Sequence, residues 1–293
     1  MTRSRLPDGA TLVVGAGYLG RRVLHAEGLG TAIGLGRSAA EAGGVGWDLD
    51  ANDPLPLALP ARYRVLYTVP PVSTAAGDAR LQRLLAALLP PPESFVYIST
   101  TGVYGDRRGD VVDEATPIDP ETTRATRRVA AESLLQRWAR HTGTRLCVLR
   151  VPGIYGPGRL GTERIAAGEP VLREAEANPG NRIHVDDLAA CCVAALREPE
   201  AAGIFNVGDG DHRSSTWFTR EVARQAGLPA PPEISRAEAA SRFSPMRLSF
   251  LSESRRVDTR RMREVLGVVP RYADPAAGIH ASLEEERREG GGC

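Results

Sequence analysis

The chain has 293 residues, enough to bury a large core as one α/β unit or as two joined subdomains. Its 37 basic and 36 acidic side chains nearly cancel, so no global field draws it to nucleic acid or to a membrane surface. No apolar run approaches the ~20 residues of a bilayer span, and Met1-Thr-Arg-Ser-Arg-Leu-Pro7 is basic but lacks the apolar core of a signal peptide. Cys147, Cys191, Cys192 and Cys293 form no C-x-x-C and pair with no histidine. That pattern predicts a reduced, cytoplasmic protein without a structural metal. All 37 basic residues are arginine. Lysine chemistry is therefore excluded, because arginine keeps its proton where lysine can lose it.

The first element is the apolar run Thr11-Leu-Val-Val, which reads as a buried strand. It runs into Gly15-Ala-Gly17-Tyr18-Leu19-Gly20, a G-x-G-x-x-G that opens an amphipathic helix over about 18–28. Gly15 suits a tight turn, Gly17 lets backbone approach a pyrophosphate, and Gly20 lets helix pack on strand. The helix start then offers N–H groups and a positive dipole end to phosphate. The spacing predicts a dinucleotide site. Further strands are expected at 31–36, at Val45-Gly-Trp47, and at Arg64–Val69 before Pro70-Pro71. A helix over about 77–89 places Leu81, Leu84, Leu85 and Leu88 on one face. Then come a strand at Ser94–Ser99, a helix over about 121–141 and a strand at Arg145–Val151. A helix near 185–197 leads to a strand at Gly203–Val207. This alternation predicts an α/β fold, a parallel sheet wound on both faces. A proline-rich break at 229–232 suggests a subdomain edge, and Glu284–Glu289 with Gly290-Gly-Gly-Cys293 reads as a frayed, solvated helix end.

An NAD site commonly carries a carboxylate about 20 residues after the glycines, bonded to the ribose 2′-hydroxyl. The corresponding strand end here is Gly36-Arg37-Ser38. Arg37 suits pairing with a 2′-phosphate and Ser38 donation to it, so NADP is expected in preference to NAD. Asp48 suits accepting from an adenine amino group, or serves as a solvated loop residue.

Several later segments, in order and spacing, resemble the extended short-chain dehydrogenase/reductases, the NAD(P)-dependent sugar epimerases and dehydratases. Val96-Tyr-Ile-Ser99-Thr100-Thr-Gly-Val103-Tyr104-Gly105 is similar to that family's strand and Ser/Thr-x-x-x-Tyr-Gly turn. Val112-Asp113-Glu114 with Pro117 resembles its acidic substrate-side loop, and Arg150–Gly158, including Pro152, the segment passing under the nicotinamide. Arg182-Ile-His184-Val-Asp186-Asp187, Phe205-Asn206-Val-Gly208 and Arg256-Val-Asp258 through Pro270 resemble its later segments. The resemblance covers nearly the whole chain. It implies a doubly wound parallel (Rossmann) sheet with a small C-terminal substrate subdomain. The dinucleotide-binding core is expected over 1–160 and the substrate subdomain over 161–293, with 182–208 returning to the core. The glycine spacing is tighter than the family's G-x-x-G-x-x-G, which implies an atypical branch.

The family's proton chemistry rests on Tyr-x-x-x-Lys in the helix after the turn. Counting back from Ala130-Ala131-Glu132, those two positions hold Arg124 and Arg128. Arg128 retains the means to hold a ribose; Arg124 is no proton-transfer acid near neutral pH. The resemblance leaves Thr100 as the residue that hydrogen-bonds a substrate oxygen, or as a strand-end residue satisfying backbone. Tyr104 is the tyrosine placed to substitute, in Tyr104-x-x-x-Arg108 on a loop, with packing as its other role. His184 reads as a helix-start residue, and Asp186 and Asp187 as caps of that helix. The expected cofactor contacts are Gly15, Gly17, Tyr18, Leu19, Gly20, Arg37, Ser38, Asp48, Arg128 and Pro152; Thr100 and Tyr104 are the catalytic candidates. Two functions stay open. One is an oxidoreductase or epimerase/dehydratase acting on a nucleotide sugar or other hydroxylated carbonyl compound. The other is a catalytically impaired NADP-binding sensor or scaffold. Leu84, Leu88, Leu134, Leu135 and Trp138 suit either a homodimer interface, which the family commonly builds from these two helices, or the core of one subunit.

Overall fold

The structure is a computed structural model that describes residues 4–40, 43–72 and 78–290. Seven strands form its central sheet: β1 (Thr11–Val14), β2 (Ala32–Gly36), β3 (Val45–Gly46), β4 (Arg64–Tyr67), β5 (Ser94–Thr100), β6 (Arg145–Val151) and β7 (Gly203–Asn206). Their spatial order is β3-β2-β1-β4-β5-β6-β7, and every pairing is parallel. The chain starts at the centre, winds outward through β3, then returns to β4 on the other side of β1. The crevice beyond the carboxyl ends of β1 and β4 is therefore the topological switch point, where ligands of open α/β sheets bind.

Strand alternation sends successive side chains to opposite faces. Val13, Val96, Ile98 and Leu149 join a core with helices α1 (Tyr18–Leu24) and α4 (Val185–Arg197). Leu12, Val14, Tyr67, Phe95 and Tyr97 face α2 (Ala79–Ala87) and α3 (Thr123–Thr142). The leucines considered for a two-fold interface lie in this second core. Leu84, Leu88 and Leu135 are buried, and Leu134 and Trp138 pack against them. Leu84, Leu88 and Leu135 thus serve the core of this subunit, while Leu134 and Trp138 stay half-buried at its edge.

Helix ends follow local chemistry. Asp78 caps α2 by accepting from Leu81 N at 3.2 Å, and Thr122 caps α3 by accepting from Ala125 N at 3.2 Å. The expected helix start at Gly77 lies outside the described residues. α1 ends at Leu24, short of the predicted 28, in a turn where Gly28 and Gly30 have positive φ. His184 Nδ1, not either aspartate, caps α4 by accepting from Asp186 N at 3.2 Å. Asp186 instead pairs with Arg22, and Asp187 accepts from Arg271 N and Tyr272 N at 2.7 and 3.0 Å.

The C-terminal half adds α5 (Ser215–Ala226), α6 (Pro245–Leu251) and α7 (Pro275–Gly290). The proline-rich stretch leads into Glu233–Ile234, which pairs with Val171–Leu172. α7 is not a frayed end. Ile279, Ser282 and Leu283 are buried, Glu285 pairs with Arg22 at 2.6 Å, and Glu286 accepts from Gly158 N at 2.6 Å. Cys293, at the end of the expected tail, lies outside the described residues.

Candidate functional site

The glycines have separable tasks. Gly15 adopts φ +99, and a methyl group there would lie 2.5 Å from Thr68 Oγ1. Thr68 Oγ1 donates to Gly15 O at 2.7 Å and so holds the turn against β4. A methyl on Gly20 would run into the Gly15 carbonyl, whereas one on Gly17 meets nothing within 4 Å. The tight turn, the close helix approach and the open face are thus three different residues. Gly17 caps α1 without a side-chain bond, and the first turn carries no acidic residue. The strand end, the turn and the first helical N–H groups face open space of positive potential.

That space belongs to a cleft of about 280 Å³ at the switch point. Gly15, Gly17, Arg37, Ser38 and Asp48 line it, with Thr68 and Arg80 opposite. Arg37 and Ser38 are exposed. Asp50, also at the cleft, is bound through both carboxylate oxygens by Arg80, which holds its carboxyl below the usual range. Asp48 Oδ1 accepts from Asp50 N at 2.9 Å. An open glycine face, uncapped helical N–H groups and a flanking cleft fit the adenosine and pyrophosphate of a dinucleotide.

The other expected contacts lie elsewhere. Tyr18 stacks under the Arg159 guanidinium at 3.9 Å, and burial pushes its hydroxyl up to about 12. The Leu19 side chain is in the core, so that residue offers a ligand only its backbone. Pro152 borders a small cavity with Asn181, Arg182, Asp209 and Thr259. Arg128 lies on α3 against β5, where its Nη1 donates to Ile98 O at 2.7 Å and to the Tyr97 hydroxyl at 3.1 Å.

Thr100 ends β5, half-buried, and its Oγ1 accepts from Gly102 N at 3.1 Å to start a 3₁₀ turn, Thr101–Tyr104. Tyr104 stands in that turn rather than on a loop. Its ring is fully buried and its hydroxyl donates to Asn206 Oδ1 at 2.7 Å. Arg150 lies over the same ring at 4.9 Å. Arg150 also holds Glu132 at 2.8 Å, and Glu132 accepts from Ser99 Oγ. Glu114, from the acidic loop, turns inward and accepts from Asn206 N at 2.8 Å. Glu132, Arg150 and Asn206 had stood in the sequence only as parts of quoted motifs; their pairing is long-range. Arg124 is exposed and lies 4.3 Å from the Phe250 ring centroid.

Residues 71–208 match the NAD dependent epimerase/dehydratase family. The chain belongs to that family. The chain is similar to Protein YeeZ of Escherichia coli (strain K12), 31% identical over 194 residues, covering 63% of this chain and 64% of YeeZ. It is also similar to a dTDP-L-rhamnose 4-epimerase of Burkholderia thailandensis, 33% identical over 125 residues, covering 38% of this chain and 34% of that enzyme. The chain therefore matches less than two thirds of the length of either relative. A solved structure of a conserved protein of unknown function from Silicibacter pomeroyi DSS is 30% identical, covers 95% of this chain and 99% of its own, and superposes with a TM-score of 0.79. Among the described residues no helix is long and apolar enough to cross a membrane, and no cluster of three or more His, Cys, Asp or Glu is arranged to hold a metal.

Proposed function

We propose that this family member is an NADP-dependent oxidoreductase of the epimerase/dehydratase type acting on a nucleotide sugar. The observation that carries the reading is the open glycine face at the switch point, in the same sheet as the Thr100 strand end. The backbone at Gly15–Gly20 and the side chain of Asp48 hold the dinucleotide. Arg37 and Ser38 hold its 2′-phosphate, a role supported by their exposure at the cleft and by the commitment of Asp50 to Arg80. When bound, the nicotinamide supplies hydride transfer. Arg128 steadies the cofactor side of β5, and Thr100 hydrogen-bonds the reacting oxygen. The substrate is held by residues from 161–293, apart from 182–208. Three free buried cysteines, Cys147, Cys191 and Cys192, agree with a reducing cytoplasmic location.

The test is calorimetry of NADPH and NADH against the wild type and Arg37→Ala, followed by turnover of UDP-glucose and dTDP-glucose. An arginine–phosphate pair stabilises by roughly 1.5–3 kcal/mol, about tenfold or more in affinity. NADPH should bind at least that much tighter than NADH, and Arg37→Ala should remove the difference. Equal affinities in the wild type would refute the NADP assignment. A second reading, a cofactor-binding sensor, is favoured by Arg124, which stacks on Phe250 and offers no transferable proton. Tight NADPH binding without turnover of either sugar would establish it instead.

A further inference from the structure

We propose that Glu253 is the carboxylate that moves the proton at the substrate oxygen held by Thr100, an inference that rests on the oxidoreductase reading above. Glu253 lies between α6 and the two-residue strand Arg256–Val257, which pairs with Val111–Val112. Three bonds tie this segment to the residues just after the Thr100 turn. Ser254 N donates to Asp106 Oδ1 at 2.8 Å, Arg107 N donates to Ser254 O at 2.8 Å, and Arg255 Nη1 donates to Gly105 O at 2.6 Å. The Glu253 side chain is only 5% exposed. Its Oε2 accepts from Arg255 Nη1 at 2.8 Å, while its Oε1 is buried without a hydrogen-bond partner among the described residues. Most buried side-chain polar atoms have a partner, so this oxygen has acceptor capacity to spare beside the Thr100 turn.

Gly102 shows where that ligand fits. A methyl built on it would lie 3.5 Å from Thr100 Oγ1 and 3.9 Å from Glu253 Oε2, both ordinary contacts, and its φ is not in the left-handed region. Neither backbone strain nor packing requires glycine here. Its missing side chain leaves a gap bordered by a hydroxyl on one side and a carboxylate on the other. The hydroxyl of a secondary alcohol carbon in the substrate, brought against this side of the turn past the Gly102 Cα, would meet both groups. Thr100 hydrogen-bonds the oxygen. The O–H bond breaks toward Glu253 Oε1, and its electron pair becomes the second carbon–oxygen bond. The hydride leaving the carbon passes to the co-reactant, an oxidised nicotinamide dinucleotide. In the reverse direction Glu253 returns the proton as the carbonyl is reduced. Arg255 orients the carboxylate through its hydrogen bond to Oε2. The role replaces the acid that Arg124 does not supply.

The experiment compares wild type, Glu253→Gln, Glu253→Ala and Gly102→Ala. NADPH binding is measured by calorimetry, UDP-glucose binding to NADPH-loaded protein likewise, and turnover of UDP-glucose and dTDP-glucose is assayed with and without formate. Glu253→Gln should bind NADPH as the wild type does and lose about 10²-fold or more in turnover. Formate, which can occupy the vacated carboxylate position, should restore part of the rate in Glu253→Ala. Gly102→Ala adds a methyl with only ordinary contacts, so it should melt near the wild type while UDP-glucose binding weakens by about tenfold as the gap fills. Turnover retained in Glu253→Gln, no formate effect, or unchanged sugar binding in Gly102→Ala each overturns the Glu253 proposal alone. A wild type that binds no NADPH, or turns over neither sugar, overturns the oxidoreductase reading and this proposal together.

Discussion

Arg150 and Glu132 meet inside the molecule, Nη2 to Oε2 at 2.8 Å, with 3% and 5% of their side chains exposed. The pair joins β6 to α3 beneath the Thr100 turn, and Ser99 and the Tyr104 ring complete its surroundings. Removing one partner leaves a buried charge uncompensated, which costs about 3–5 kcal/mol. Glu132→Gln should therefore lower stability by that order in urea unfolding, whereas a double replacement of Glu132 and Arg150 by Leu and Met should recover much of it. A single variant as stable as the wild type would show that the pair adds nothing.

Gly17 and Gly20 separate ligand binding from folding. A methyl on Gly20 collides with the Gly15 carbonyl, so Gly20→Ala should destabilise by about 1–3 kcal/mol through overpacking. A methyl on Gly17 meets no protein atom within 4 Å, so Gly17→Ala should leave the melting temperature nearly unchanged. It should weaken NADPH by about tenfold or more, because the backbone can no longer approach the pyrophosphate. Thermal melts and calorimetry on the two variants decide it. Equal loss of stability in both would contradict the division of tasks.

The seven strands of the central sheet were legible as short apolar runs bounded by glycine, proline or polar residues, and the α4 bounds agree with the prediction, whereas the two- and three-residue peripheral strands such as Gly153–Tyr155 and Arg256–Val257 carry no such pattern. What the sequence does not carry is partnership at long range. Asp186 and Asp187 stand two and three residues after His184 and look like caps, yet their carboxylates go to Arg22, Arg271 and Tyr272. Glu284–Glu289 looks like a solvated run, yet Glu285 meets Arg22 across 263 residues. Glu253 sits in Ser252-Glu-Ser-Arg255, which has the composition of an exposed loop. Long-range bonds draw it against the Thr100 turn: those of Ser254 and Arg255 to residues 105–107, and the pairing of Arg256–Val257 with Val111–Val112. Of the candidate site, the glycine cradle was legible because its chemistry is local. The polar network around Arg150 and the Glu253 gap were not, because each joins residues from three or more separate segments.

Two buried groups set opposing pH dependences. Burial lowers His184 from 6.5 to about 4, so folding favours its neutral form. That stability is present above pH 6.5 and is lost as pH falls through about 4. Burial raises Asp209 from 3.8 to about 7, and its Oδ2 has no hydrogen-bond partner among the described residues. The folded state therefore favours a protonated Asp209, and that contribution is lost as pH rises from 3.8 through about 7. In the wild type the two slopes oppose each other over the acidic range. Asp209→Asn removes one of them while its amide oxygen can still accept from Asp211 N, the bond Asp209 Oδ1 makes at 2.9 Å. The variant should gain stability of the order of ~2–4 kcal/mol at pH 8 and almost none near pH 4. The His184 contribution, which rises with pH between about 4 and 6.5, is then no longer opposed by Asp209. Urea unfolding at pH 4.5, 6 and 8 — acidities chosen around these transitions, roughly spanning the expected window — measures the gain. A gain of the same size at every pH would mean that Asp209 keeps an ordinary acidity in the folded protein.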